Sequence, residues 1–80
     1  MTNKEKKEIF KQIQQVLNFR RVKYHKSVGK YFCSLEIERP AGRLLVIELE
    51  TRDNKPVLLR YYKNGEASEL KSLEQFKQLL

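Results

Sequence analysis

The chain has no tryptophan, one cysteine, one histidine, three glycines and two prolines among its 80 residues, and each scarcity closes off a class of protein. A single thiol, Cys33, cannot close an internal disulfide, so a fold must rest on its core. Within the apolar stretch YFCSLEI it reads as a small core hydrophobe and not as a reactive thiol. His25 has no second ligand at metal spacing and no nucleophile or orienting acid close in sequence, which excludes a recognisable zinc site or catalytic triad and puts the ring on the surface. Gly29, Gly42 and Gly65 fall in separate turns, so no glycine-rich loop cradles a phosphate. No apolar run reaches the ~18 residues of a membrane span. The opening MTNKEKKEIF carries charge where a secretory signal carries its apolar segment, so a cytoplasmic protein is expected.

What is present suffices for one core: the apolar share is 40%, with four Phe and four Tyr. A chain of this length forms one domain and buries only about 60–65% of its unfolded surface, which leaves little material for a deep catalytic cleft. A non-enzymatic protein without cofactor or metal is expected.

The charge is unevenly placed. Residues 1–30 carry Lys4, Lys6, Lys7, Lys11, Arg20, Arg21, Lys23, Lys26 and Lys30 against Glu5 and Glu8, a balance of +7, while residues 31–80 balance to zero. An excess so local builds a potential over one part of the surface and points to an anionic partner.

Capping chemistry marks both helices. Thr2 with Glu5 has the T-x-x-E capping-box form, and Ile9, Phe10, Ile13, Val16 and Leu17 then recur at helical spacing to about Asn18, with Lys4, Lys7, Lys11 and Asn18 on the opposite face. Ser72 with Gln75 is a second box, opening a short helix to Leu80 whose apolar side is Leu73, Phe76, Leu79 and Leu80. Between them the spacing turns to period two, predicting strands over about 20–27, 31–39, 43–52, 57–63 and 66–71 with turns at SVGK, PAG, DNKP and NG. Asn64-Gly65 is the dipeptide of a type I′ hairpin, and short connections make every neighbouring pair antiparallel. The predicted fold is α+β, a two-layer sandwich in the order α-β-β-β-β-β-α, with both helices on one face of a meander.

Parity assigns Val22, Tyr24, Tyr31, Cys33, Leu35, Ile37, Leu45, Ile47, Leu49, Val57, Leu59, Tyr61 and Leu70 to the core face. The reverse face is mixed, with Arg21, Lys23, His25, Glu36, Glu38, Glu48, Glu50 and Arg60 among the apolar set Phe32, Leu44, Val46, Leu58 and Tyr62.

Two binding surfaces follow. The first joins the helix row Lys4, Lys7, Lys11 to Arg20, Arg21, Lys23, His25, Lys26 and Lys30, with Phe32 beside the cations as a ring on which a base would stack; nucleic acid is the partner such a surface fits. The bland account of the same charges is a solvated face that keeps a small domain soluble. The second surface is the apolar set Phe32, Leu44, Val46, Leu58 and Tyr62, which would take a protein partner or form a homodimer unless long Arg and Glu stems cover it.

The carboxylates Glu36, Glu38, Glu48 and Glu50 would repel nucleic acid from the sheet face, and cross-strand pairing with Lys23 and Arg60 is their ordinary role. The stretch GRLLVIELETR superficially resembles the catalytic strand of restriction-endonuclease-like nucleases, but only Glu48 and Glu50 match, and the lysine that strand requires is missing. The same stretch, with SELKSLEQFKQLL after it, is similar to the coactivator-like single-stranded DNA binders, a resemblance that implies a sheet followed by one helix and a nucleic-acid partner. That family lacks the N-terminal helix and fifth strand, and its sheet is basic where this one carries glutamates.

Overall fold

A computed structural model describes residues 2–50 and 58–80; the predicted turn at DNKP and the core assignment of Val57 lie outside them. The elements run α1 (Asn3–Phe19), β1 (Tyr24–Val28), β2 (Phe32–Ile37), β3 (Leu44–Leu49), β4 (Leu58–Lys63), β5 (Glu66–Glu69) and α2 (Leu73–Leu79). The strands form one antiparallel sheet in sequence order. The α+β meander with a helix at each end is thus as the sequence predicts.

Both helices are N-capped by the hydroxyls the sequence marks. The Thr2 hydroxyl accepts from the Glu5 amide at 3.1 Å. The Ser72 hydroxyl accepts from the Gln75 amide at 3.1 Å, while the Gln75 side chain accepts from the Lys71 amide at 2.7 Å.

Helix α1 ends in a Schellman turn: the Arg21 amide donates to the Asn18 carbonyl and the Val22 amide to the Leu17 carbonyl. This turn takes up residues that the sequence places in the first strand, so β1 begins at Tyr24 instead of Arg20. The left-handed position normally held by glycine is occupied by Arg21, at φ 56°. That conformation costs an L-residue about 1–2 kcal/mol. Arg21→Gly should therefore stabilise the fold by about 1 kcal/mol, raising the melting temperature by roughly 4–8 °C; an unchanged or lower value by calorimetry contradicts the strain assigned here.

One face of the sheet carries both helices. Phe10, Ile13 and Leu17 of α1 and Phe76 of α2 pack with Leu35, Ile37, Leu44, Val46, Leu59 and Leu70, all at most 4% exposed. Val22, Tyr24, Cys33 and Tyr61 pack at the edge of this cluster, on the side their parity predicts. Arg39 ties the β2–β3 connection to α2, its Nε donating to the Gly42 carbonyl at 3.0 Å and its Nη1 to the Leu79 carbonyl at 2.5 Å.

Strand β3 is a correction. Leu44 and Val46, predicted to lie on the open face as interface residues, are fully buried. The register sets Val46 opposite Leu35 and Tyr61, and Leu44 opposite Ile37, so the even-numbered residues of β3 face the helices. Leu45, Ile47 and Leu49, predicted as core, stand half-buried on the open face. The run LLVI is apolar at every position, so hydropathy alone cannot choose between its two faces; pairing with the neighbouring strands does.

Candidate nucleic-acid interface

Helix α1 presents three strips. Phe10, Ile13 and Leu17 face the core. On one flank, Asn18 accepts a hydrogen bond from the Tyr24 hydroxyl of β1 at 2.9 Å, and the row reached from it by helical steps, Gln14, Lys11, Lys7 and Lys4, leads from β1 toward Glu50 past the end of β3, with which Lys7 pairs. On the other flank, Gln12, Gln15, Val16 and Phe19 face α2 across a groove.

Sheet parity places Lys26 opposite Leu35, on the side that carries the helices. Lys4, Lys7, Lys11 and Lys26 therefore share one side of the molecule. Lys23 and His25 do not: the residues with His25's parity face the open side, where Lys23, His25, Glu36, Glu38 and Arg43 line a shallow cleft. The predicted surface is thus divided by the sheet, with β1 as its border. Lys30 lies at the β1–β2 turn, its ammonium 5.5 Å from the centre of the Tyr31 ring. Arg20 and Arg21 sit exposed at the C-terminus of α1.

Phe32 is 41% exposed and opens onto the sheet's open face, away from Lys4, Lys7 and Lys11. Its ring lies against Gly29, where a Cβ would stand 2.1 Å from the ring. A side chain at position 29 would have to displace the ring, so one edge of Phe32 is occupied by this glycine.

The carboxylates also divide. Glu36 faces outward and pairs with Arg43 at 2.9 Å, whereas Glu48 lies opposite Cys33 on the helix side. Glu50, just past β3, pairs with Lys7. Pairing with Lys23 or Arg60, the expected partners, is not found for these carboxylates among the described residues. Lys7 is raised above the ordinary lysine range by its hydrogen bond to Glu50.

Burial pushes the Glu48 carboxyl up, with Lys7 pulling it down and Glu50 pushing it up again. A carboxyl whose folded-state pKa is raised binds its proton more tightly in the native state, so its charge destabilises the fold as pH rises above the ordinary carboxylate range. Glu48→Gln should therefore raise the melting temperature at pH 7 and change it little at pH 4. An equal shift at both pH values would contradict this. The Cys33 thiol is likewise pushed up, chiefly by burial, against a nearby Lys26 that lowers it; that fits a packing role.

Among the described residues no group of three His, Cys, Asp or Glu side chains could hold a metal. No described helix is long and apolar enough to cross a membrane. No protein-family model, curated protein or solved structure matches the chain.

Two features escaped the sequence reading. Phe19 is 90% exposed, and Leu45, Ile47 and Leu49 line the open sheet face. Phe19 was legible as the one aromatic of α1 lying off its apolar stripe; the β3 face was not.

Proposed function

We propose that this chain is a non-enzymatic binding protein that engages nucleic acid through charge, using the exposed flank of α1, the edge of β1 and the arginines between them. One observation carries the reading. Of the nine Lys and Arg in residues 1–30, Lys7 alone is ion-paired among the described residues. Lys4, Lys11, Arg20, Arg21 and Lys26 are exposed and keep their charge for an external anion. Contacts of this kind go to phosphates and carry little sequence information. Anisotropy titrations with labelled oligonucleotides of unrelated sequence at low salt should give similar affinities; no binding at low salt, or strong dependence on sequence, contradicts the proposal.

A second reading rests on the open sheet face. The register builds three rows across β2, β3 and β4: Phe32–Leu49–Leu58, Ser34–Ile47–Arg60 and Glu36–Leu45–Tyr62. Six of the nine residues are Leu, Ile, Phe or Tyr, a contiguous apolar group of the kind that marks an interaction surface. The rows are also self-complementary. A two-fold axis parallel to β3 would set Glu36 against Tyr62 of a second copy, Ser34 against its Arg60 and Phe32 against its Leu58. The perpendicular axis would stack Arg60 on itself. Homodimerisation through this face leaves the basic side free, so both readings can hold together. Sedimentation should show a concentration-dependent dimer that Ile47→Asp converts to monomer; a monomer at every concentration would remove this second reading.

A further inference from the structure

Among the described residues Phe19 is the most exposed of the large hydrophobic side chains, at 90%. It ends a line on α1, Gln12–Gln15–Phe19, that looks across a groove of about 540 Å³ to Leu73 and Lys77 of α2. Val16 and Leu73 supply apolar lining, Arg20 and Lys77 supply positive charge, and two glutamine amides supply donors and acceptors. Arg21 follows in the strained left-handed position that glycine would fill at lower cost.

Stability alone accounts for part of this and not the rest. Arginines near a helix C-terminus interact favourably with its carbonyls. That does not explain a phenyl ring left in water beside them, nor an arginine at a left-handed position that glycine would hold at lower cost. Both are what a site for a flat, anionic ligand requires: a ring to stack on, and guanidinium groups to hold phosphate.

We propose that Phe19 is a stacking platform for an unpaired base, with Arg20, Arg21 and Lys77 holding the flanking phosphates, so that the chain prefers single-stranded over duplex nucleic acid. The inference rests on the nucleic-acid reading above and narrows it. A duplex turns its base faces inward, where a surface phenyl ring cannot reach them; a single strand leaves them available. Two acids limit the strand's path. Glu74 lies beside Lys77, 3.6 Å from its ammonium. Glu8 stands on the line of Gln12 and Gln15, about 16 Å along the helix from Phe19 by the helical rise. A strand seated on Phe19 therefore leaves toward Arg20, Arg21 and the β1 edge, not down α1 on that flank.

The absence of tryptophan provides a direct test. Phe19→Trp installs a single indole at the proposed platform, and base stacking should quench its fluorescence. Oligothymidine should quench it; heparin, a polyanion without bases, should bind the same cations without quenching, and a duplex should quench weakly. Phe19→Ala, at a position so exposed that the melting temperature should hold, should lose about 5- to 100-fold in affinity for the single strand and little for the duplex. Phe19→Tyr should restore most of the loss. If oligothymidine binds but leaves the indole unquenched, or Phe19→Ala binds single strand as tightly as the parent, the platform is wrong while the electrostatic reading survives. If the parent protein binds neither oligonucleotide nor duplex at low salt, the electrostatic reading falls, and the platform with it.

Discussion

Replacing Lys4, Lys11 and Lys26 together by glutamate is expected to abolish detectable nucleic-acid binding at physiological salt while leaving the fold intact. All three side chains are exposed on the side of the sheet that carries the helices, and none has an ionic partner among the described residues. Exposed charges of this kind contribute little to folding, so the melting temperature should shift by only a few degrees. Each phosphate contact adds about 0.7 to the slope of log affinity against log salt on a single strand, so losing three should flatten that slope by about two, with new repulsion added. A matched variant separates local from overall charge. Arg43, Arg60 and Lys71 changed to glutamate alter the net charge equally, but Arg43 and Arg60 belong to the open-face side. That protein should retain most of its affinity. Equal losses in the two variants would mean that the molecule acts only as a diffuse cation.

The second large effect concerns β3. Val46→Asp should unfold the protein, whereas Ile47→Asp, one residue along the same strand, should leave it folded. Val46 is fully buried, set between Leu35 and Tyr61 on the neighbouring strands. An unpaired carboxylate there costs more than about 4 kcal/mol, comparable to the whole stability of a domain this small. Ile47 is half-buried on the open face between Ser34 and Arg60, where a carboxylate meets water and a guanidinium. Circular dichroism of the pair decides the register. Were Ile47→Asp to unfold and Val46→Asp to survive, the strand would be paired one residue out of place, and the open-face rows would have to be redrawn.

These two substitutions also mark how far the sequence could be read. Local signals were sufficient wherever two of them agreed: Thr2 with Glu5 and Ser72 with Gln75 fixed the helix starts, Asn64-Gly65 fixed a hairpin, and alternation in β2 and β4 fixed their faces. In β3 the alternation disappears, because Leu44, Leu45, Val46 and Ile47 are all apolar, and only pairing with Leu35 and Tyr61 separates them. That single ambiguity moved Leu44 and Val46 from the proposed interface to the core and carried Glu48 to the helix side. The cationic surface was legible as composition but not as geometry. Parity alone set Val22 and Tyr24 inward and Lys23 and His25 outward, as the register has them. What it did not show is that the sheet then stands between Lys23 and His25 and the lysine row of α1, so that the predicted cations do not form one surface.

The most direct test of the account is the salt dependence of binding by the unmodified protein. Affinity for a random-sequence oligonucleotide, measured by anisotropy from about 20 to 300 mM salt, should fall along a line in log–log form steeper than about −2, the signature of several phosphate contacts releasing counterions. A slope near zero, or no binding at the lowest salt, would contradict the claim that the unpaired cations of α1 and β1 are there to meet phosphate.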